Sequence, residues 1–562
     1  MKHPYYILGL AAALAVATPS FAQNDGDRND GKYNPTVSGS IQSDMLAPTG
    51  SQSDGSHEDF RTNTFVDLNV MSKYIDAGAR FEYREHQLPG YDAAFKGYGV
   101  PYVYLKAKLK NFEVTVGNFY EQFGSGFVLR TYEERSLGID NSLLGARIVT
   151  TPVKGVRLKA LTGQQRRYWA HNDSWVSGAD VELSLDSWFK GLAQSGTSLT
   201  LGGSFVNKNE RNDEDVPFNG NYRLVMPRNV NAWDARVTLN THGFNVLAEY
   251  AQKTADPSFK NNYIYRKGTA AMLSASYSKK GFSVLAQAKR SDNFFFNSYR
   301  AESDRQSAIN HLPAFTMDQT YALAALYPYG TRLDGEWAYQ GQLGYKFKRK
   351  TAIGGKYGMM VKVNFSHVRG IDQNPRSLTV NVPEPTVLTG KGTDGYGSAF
   401  WKWGKGGMYY QDLNVQIDRR FTRDFKLSLM YMNQFYNKTA VEGEGGMIHS
   451  NIFIADALFN LSPKTRLRTE LQYLTTGEDE HDWLFALAEL SLVPHWMFTV
   501  SDQYNVGLTD AHYWQTFVTY NTGAHRVQLG WGRTHAGFNC SGGVCRSVPE
   551  TKGFTLSYNY NF

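Results

Sequence analysis

The sequence predicts an all-β fold, a single large transmembrane antiparallel β-barrel of about 24 strands (roughly 22–26), its lumen partly filled by inward-folded loops. Three observations predict it. Segments of about ten residues alternate apolar with polar side chains, and the pattern recurs from residue 36 onward. Tight turns alternate with long polar segments between them. Aromatic residues are abundant, with 35 Tyr, 33 Phe and 11 Trp among 562 residues.

Residues 1–22 have the anatomy of a secretory signal peptide: Lys2 and His3, an apolar run from Tyr5 to Ala17, and Ser20-Phe21-Ala22 at a cleavage point. That run is too short for a membrane-spanning helix, which needs about 20 apolar residues. Residues 23–35 read as a flexible periplasmic tail, and NDGDRNDG (24–31) lacks the spacing of Gly and Glu that a calcium loop requires. Residues 36–562 form the barrel, leaving too few residues ahead of the first strand for a separate plug domain. The 41% hydrophobic content excludes a disordered chain. A formal net charge of +7, with its charges interspersed, gives no basic stripe for nucleic acid.

The strands follow from period-two alternation. Trp337, Tyr339, Leu343, Tyr345 and Phe347 share one face of a segment whose other face carries Gln340, Gln342 and Lys346. Leu467, Leu471 and Tyr473 alternate in the same way with Arg466, Arg468, Glu470 and Gln472. A soluble sandwich would use shorter strands, of about 5–6 residues, and would have to bury those charges. A transmembrane barrel turns the apolar face to lipid and the polar face inward, with strands of about 9–11 residues. Tight turns occur at 110–111, 153–155, 241–243, 280–281, 422–424, 463–464 and 494–495. Long segments lie at 86–98, 123–141, 209–228, 293–334, 369–407 and 536–552. Short turns are expected on the periplasmic side and long loops outside, with both termini periplasmic. Counting Thr320–Tyr327 as a strand would put 369–407 on the short-turn side, so 320–327 belongs to a large loop. The alternating FTLSYNYNF ends on Phe562, in the form of the signal by which outer-membrane barrels are recognised for insertion.

A barrel of this size is roughly 45–50 Å across and needs its lumen narrowed. The first candidate is 118–141, with Gly124 and Gly126 for close backbone approach, Phe127-Val128-Leu129 to pack, and Arg130, Glu133, Glu134 and Arg135 to pair. Two readings stand side by side, a lumenal constriction that selects solutes and an outward loop with solvated charges. The same alternatives apply to 300–334 and to Trp401-Lys402-Trp403. Lumen-facing positions on the polar strand faces include Arg157, Lys159, Lys289, Lys362, Arg466 and Arg468.

The segments GNFYEQFGSGFVLRTYEERSLGIDNSLLGARI (117–148) and LYPYGTRLDGEWAYQ (326–340) give the chain a resemblance to a family of uncharacterised outer-membrane barrels from Bacteroidota. The resemblance implies fold and location and transfers no catalytic residues.

Cys540 and Cys545, in FNCSGGVCRS, read as a disulfide in an exported chain; two free thiols or a zinc site are the alternatives. No HExxH, GxSxG or phosphate-binding loop occurs in a convincing context, and GEGG (443–446) reads as a turn. The acidic run Glu478-Asp479-Glu480-His481-Asp482 reads as an exposed loop tip rather than a cation site or catalytic cluster. No cofactor, metal or enzymatic activity is expected. The leading expectation is porin-like passage of small hydrophilic solutes through a bacterial outer membrane. A non-conducting accessory of an envelope complex and a surface enzyme are the alternatives. Expected partners are outer-membrane lipid, the barrel-assembly machinery during insertion and, on the accessory reading, other envelope proteins, but no nucleic acid.

Overall fold

The computed structural model describes residues 35–50, 60–211, 218–219, 222–303, 305–376 and 388–562. The expected signal peptide and almost all of the expected tail lie outside the described residues. Twenty-four strands form one closed antiparallel sheet. It runs as an up-and-down meander and closes where the first strand, Thr36–Pro48, pairs with the last, Thr551–Asn561, in the register Ser40↔Asn561 to Pro48↔Gly553. Closure removes every sheet edge, which a strand surrounded by hydrocarbon cannot leave unpaired.

The alternation works as expected on the outer face. Leu105, Leu201, Leu343, Phe453, Leu471 and Leu529 point away from the barrel and are exposed. Such a belt of large apolar side chains on a closed sheet is stable only against lipid. The tight turns also fall where expected. Between Asn229–Thr241 and Phe244–Lys253 the chain reverses in two residues, His242 and Gly243, with φ of 46° and 87°. Positive φ at both positions is the turn whose twist suits adjacent strands, and Gly243 adopts it without a side-chain clash. Residues 320–327 form turns and no strand. They belong to the long connection between Phe282–Asp292 and Gly335–Phe347, which keeps the strand number even.

The interior departs from a uniformly polar lumen. Inward positions are polar over much of the wall, among them Asp180, Ser204, Asp234, Asn364, Asp412 and Gln472, all buried. Toward the long-loop end, however, Val176, Val206, Ala251, Met432, Ile452 and Leu474 also face inward and pack in one apolar cluster. What they pack against is the chain's own loops, Phe123, Phe127 and Leu129 from one and Phe294, Ile309 and Leu323 from the other. A large part of the lumen at this end is therefore a dry core built between wall and loops.

Candidate functional site

Between Phe112–Phe119 and Leu143–Thr150 the chain leaves the wall and turns into the lumen. Phe123, Phe127, Val128 and Leu129 are wholly buried there. Gly126, at φ 102°, makes the turn possible: a Cβ on it would sit 3.1 Å from Arg130 Cβ and 3.3 Å from the His311 carbonyl oxygen. The second loop lies directly on this one. Arg130 N donates to the Ile309 carbonyl at 2.8 Å, and His311 N donates to the Gly126 carbonyl at 3.0 Å. Loops 120–142 and 293–334 thus form one internal plug joined through its backbone.

Charges hold the plug to the first strands. Arg166, on Val156–Arg167, donates from both terminal nitrogens to the two carboxylate oxygens of Glu82, each at 2.9 Å, and also to Asp140 at 2.6 Å. Arg80 reaches Asp67 at 2.7 Å, Glu133 at 2.8 Å and Asp140 at 3.1 Å. Arg135 completes the lattice with Asp67 at 2.7 Å and Glu133 at 2.6 Å. Burial pushes the Asp140 carboxyl upward, but the Arg166 and Arg80 guanidiniums outweigh it and hold it below the usual carboxylate range. For Glu133 burial prevails over Arg80 and Arg135, and its carboxyl is raised.

Of the four expected constriction residues, only Glu133 and Arg135 join this lattice. Glu134 accepts from Ser136 N at 3.2 Å and Oγ at 2.8 Å, capping a short turn. Arg130 lies over the Tyr132 ring, 4.7 Å from its centroid. Glu82, Arg166, Arg80, Asp67 and Asp140 carry as much of the network but were not singled out from the sequence. They come from three strands and a loop, with only Arg80 and Glu82 on the same strand, so no local spacing marks the set.

The expected lumen-facing cations divide by height. Lys159 donates to Glu121 at 2.8 Å, and the fully buried Lys289 pairs with Glu336 at 2.9 Å and donates to the Pro313 carbonyl at 2.5 Å, so both anchor the plug. Arg468 pairs with Asp456 at 3.2 Å and with Glu470, close beneath Tyr321. Nearer the short turns Arg157, Lys362 and Arg466 stand open to the lumen, the first two 4.0 Å from Glu182 and 3.8 Å from Asp418. The interior is thus closed in above and wet below.

The wall is also asymmetric around its circumference. The apolar cluster takes wall residues from strands between Phe119 and Trp483; from the first four and last four strands only Tyr513, at its margin, packs against it. Along that second arc the inward register runs Asp44↔Ser557↔Gln528↔Thr519 and Gln42↔Asn559↔Arg526. A cavity of about 550 Å³ lies against it, lined by Asp67, Asn69, Tyr104, Lys106, Asn118 and Arg147 among others.

At the long-loop end a two-stranded hairpin, Gly537–Ser541 with Val544–Val548, folds over the plug. Cys540 and Cys545 face each other across it and are disulfide-bonded. The hairpin is fastened rather than free: Thr331 N donates to the Gly543 carbonyl at 2.8 Å, and Arg546 Nη2 donates to the Ser136 carbonyl at 3.1 Å. The acidic run is engaged too. Asp479 pairs with Lys438 at 2.7 Å and accepts from the Tyr327 hydroxyl at 3.1 Å. Gly443 ends a short helix, Lys438–Glu442, at φ 95°. Trp401 and Trp403 lie outside the barrel wall, Trp401 stacked on Trp337 and Trp403 donating to the Tyr339 hydroxyl at 3.0 Å.

A closed sheet with an apolar outer belt, and a lumen stuffed by its own loops, defines a transmembrane β-barrel of the outer-membrane type. The chain belongs to a family of unknown function (DUF6029), which matches residues 2–562. No curated protein matches it. Solved structures similar in fold include the translocation pore of the P pilus usher PapC, at 8% identity and TM-score 0.44, covering 94% of this chain and 99% of that one. The siderophore receptor PirA from Pseudomonas aeruginosa is similar at 10% identity and TM-score 0.41, with 94% and 80% covered. OccAB3 from Acinetobacter baumannii is similar at 9% identity and TM-score 0.35, with 94% and 99% covered.

Proposed function

We propose that this barrel sits in a bacterial outer membrane, long loops outside and termini periplasmic, and passes small hydrophilic solutes along the arc of wall that the apolar plug leaves uncovered. One observation carries the reading: the plug's apolar core is packed almost wholly against one arc, and the plug meets the other mainly through ion pairs and a cavity of about 550 Å³. Apolar packing and the buried Arg166–Glu82 pair fix the plug in place, whereas the partly exposed pairs of Arg135 with Asp67 and Glu133 can exchange with water. The cations lining the cavity, Arg80, Lys106, Arg135 and Arg147, are each paired with a carboxylate (Asp67, Glu113, Glu121 or Glu133), which gives little preference between anions and cations. In this reading the chain is not an enzyme; its partners are lipid and the machinery that inserts it.

Single-channel recording in planar bilayers tests the proposal. Discrete conductance steps are expected, enlarged when Arg135→Gln and Glu133→Gln loosen the plug. A barrel shown to be folded and inserted that gives no current above background, in either form, overturns it. The same ion pairs would suit a non-conducting subunit of an envelope assembly, and that silent outcome favours it.

A further inference from the structure

At the long-loop end, above the plug, lies a second cavity of about 460 Å³, within the range of small-molecule sites. Its walls come from distant parts of the chain: Lys260, Phe295 and Arg305, then Arg332, Tyr436 and Phe538 on the disulfide hairpin. A pocket of about 60 Å³ shares Lys260, Phe295 and Arg305 with it and extends to Tyr132 and His311.

The cations around it are not equivalent. Arg332 is held by Asp334 in a fork, at 3.1 and 2.6 Å, which neutralises it. Lys260 donates to the Ser303 carbonyl. Glu442 accepts from the Tyr436 hydroxyl at 2.7 Å. For Arg305, no carboxylate among the described residues lies at ion-pair distance; the group of opposing sign that acts on it is the Tyr132 phenol. Arg305 as a residue is half-buried and lines both cavities. Beside it, Phe538 is 42% exposed in a hairpin that is otherwise well fastened. The surroundings report the same excess of positive charge: burial, then Arg130, Arg305 and Lys289, push the His311 imidazole down to about 3.

We propose that this cavity binds a small organic oxyanion, a carboxylate or phosphate monoester carrying a flat or apolar body. Arg305 grips the oxyanion, and Phe295 and Phe538 cover the body. A planar guanidinium without a partner is suited to two parallel hydrogen bonds to such a group, and exposed rings recover apolar area when a ligand covers them. The hairpin locked by Cys540–Cys545 forms the cap. The cavity is lined by loop residues and the inward-facing Tyr436, with none of the exposed outer belt, so the ligand it suits is a dissolved molecule. Binding here does not require passage through the barrel and can be tested separately from it.

The test is calorimetric titration of the full-length barrel in detergent micelles with benzoate, galacturonate and inorganic phosphate as probes. At least one organic probe is expected to bind saturably, and more tightly than inorganic phosphate. Arg305→Gln is expected to weaken it about tenfold or more, with partial retention in Arg305→Lys. Phe538→Glu, at the exposed cap and remote from the plug core, supplies a repelling carboxylate and is expected to weaken it to a similar degree even if Arg305 variants do not fold. The absence of saturable binding by all three probes overturns the proposal. So does binding that neither Arg305→Gln nor Phe538→Glu alters in folded protein.

Discussion

Arg166 and Glu82 are joined by two parallel hydrogen bonds of 2.9 Å although three strands separate their own in the wall. Both are fully buried, and the plug's Asp140 accepts from the same guanidinium at 2.6 Å. The pair spans a chord of the lumen and fixes where the plug can sit. Each member keeps another charged partner in this dry site, Asp140 for Arg166 and Arg84 at 3.2 Å for Glu82, so removing one costs at most about 3–5 kcal/mol. Arg166→Gln breaks all four hydrogen bonds that the guanidinium donates, leaving Glu82 to Arg84 and Asp140 to Arg80, whereas Glu82→Gln keeps an acceptor oxygen and leaves Arg166 still held by Asp140. The arginine variant is therefore expected to be the more damaging, and the double variant to cost less than the sum. Hydrogen exchange across residues 120–142 measures the opening. Equal protection in all three variants would show that the chord does not hold the plug.

The strands, the tight turns and the even strand number were legible because each depends on local rules: period-two alternation, turn chemistry and the parity of an up-and-down sheet. The stuffed upper lumen was only partly legible. Its signal is the local failure of alternation, as in Ile452-Phe453-Ile454-Ala455, where Phe453 faces lipid and both isoleucines face the plug. A sequence pattern cannot distinguish a polar lumen from a plugged one wherever inward residues are small, as at Ala251, Ala270 and Ala338. The ion-pair lattice was illegible for another reason. Arg166 and Glu82 are 84 residues apart, and their encounter is set by barrel closure rather than by spacing.

The plug should loosen in acid through His311. Its imidazole is buried against Tyr132, with Arg130, Arg305 and Lys289 facing it, and is held down to about 3. In the unfolded loop a histidine titrates near 6.5. A depressed folded value means that the open loop binds the extra proton. The stabilisation is fully present above about pH 6.5 and is lost as pH falls toward 3, at up to about 1.4 kcal/mol per unit. Exchange rates for 293–312, corrected for intrinsic pH dependence, should rise steadily from pH 6.5 to 4. His311→Gln should flatten that rise; an unchanged slope in the variant would remove His311 as its cause.

The hairpin's disulfide acts on the cap alone. Cys540 and Cys545 are five residues apart, so in the chain-entropy account the cross-link stabilises by only about 2 kcal/mol. Cys540→Ser with Cys545→Ser is expected to raise exchange at Thr331, whose N–H donates to the Gly543 carbonyl and ties cap to plug, while the thermal midpoint of the barrel stays put. A fall in that midpoint comparable to the loss of a strand pairing would give the disulfide a larger role.

The seam of the barrel depends on Gly39. Its N–H donates to the Phe562 carbonyl at 2.9 Å, and Phe562 N donates back to the Gly39 carbonyl at 3.0 Å. The Phe562 ring stacks on Tyr560, 5.4 Å between centroids, and lies over Gly39 on the outer face. A Cβ at position 39 would stand 2.5 Å from the Phe562 ring and 2.6 Å from the Asp67 carbonyl oxygen. The first clash can be relieved by moving the ring; the second is with backbone and cannot. Gly39→Val is therefore expected to open the seam, so that the protein fails to show the compact migration of a folded barrel on unheated detergent gels. Phe562→Ala removes only half-buried ring area, at about 1–2 kcal/mol, and should close normally once inserted. Combining Gly39→Ala with Phe562→Ala should recover only part of what Gly39→Ala alone loses, because the carbonyl of Asp67 remains in the way. Full recovery would mean that the ring alone reserves this position for glycine.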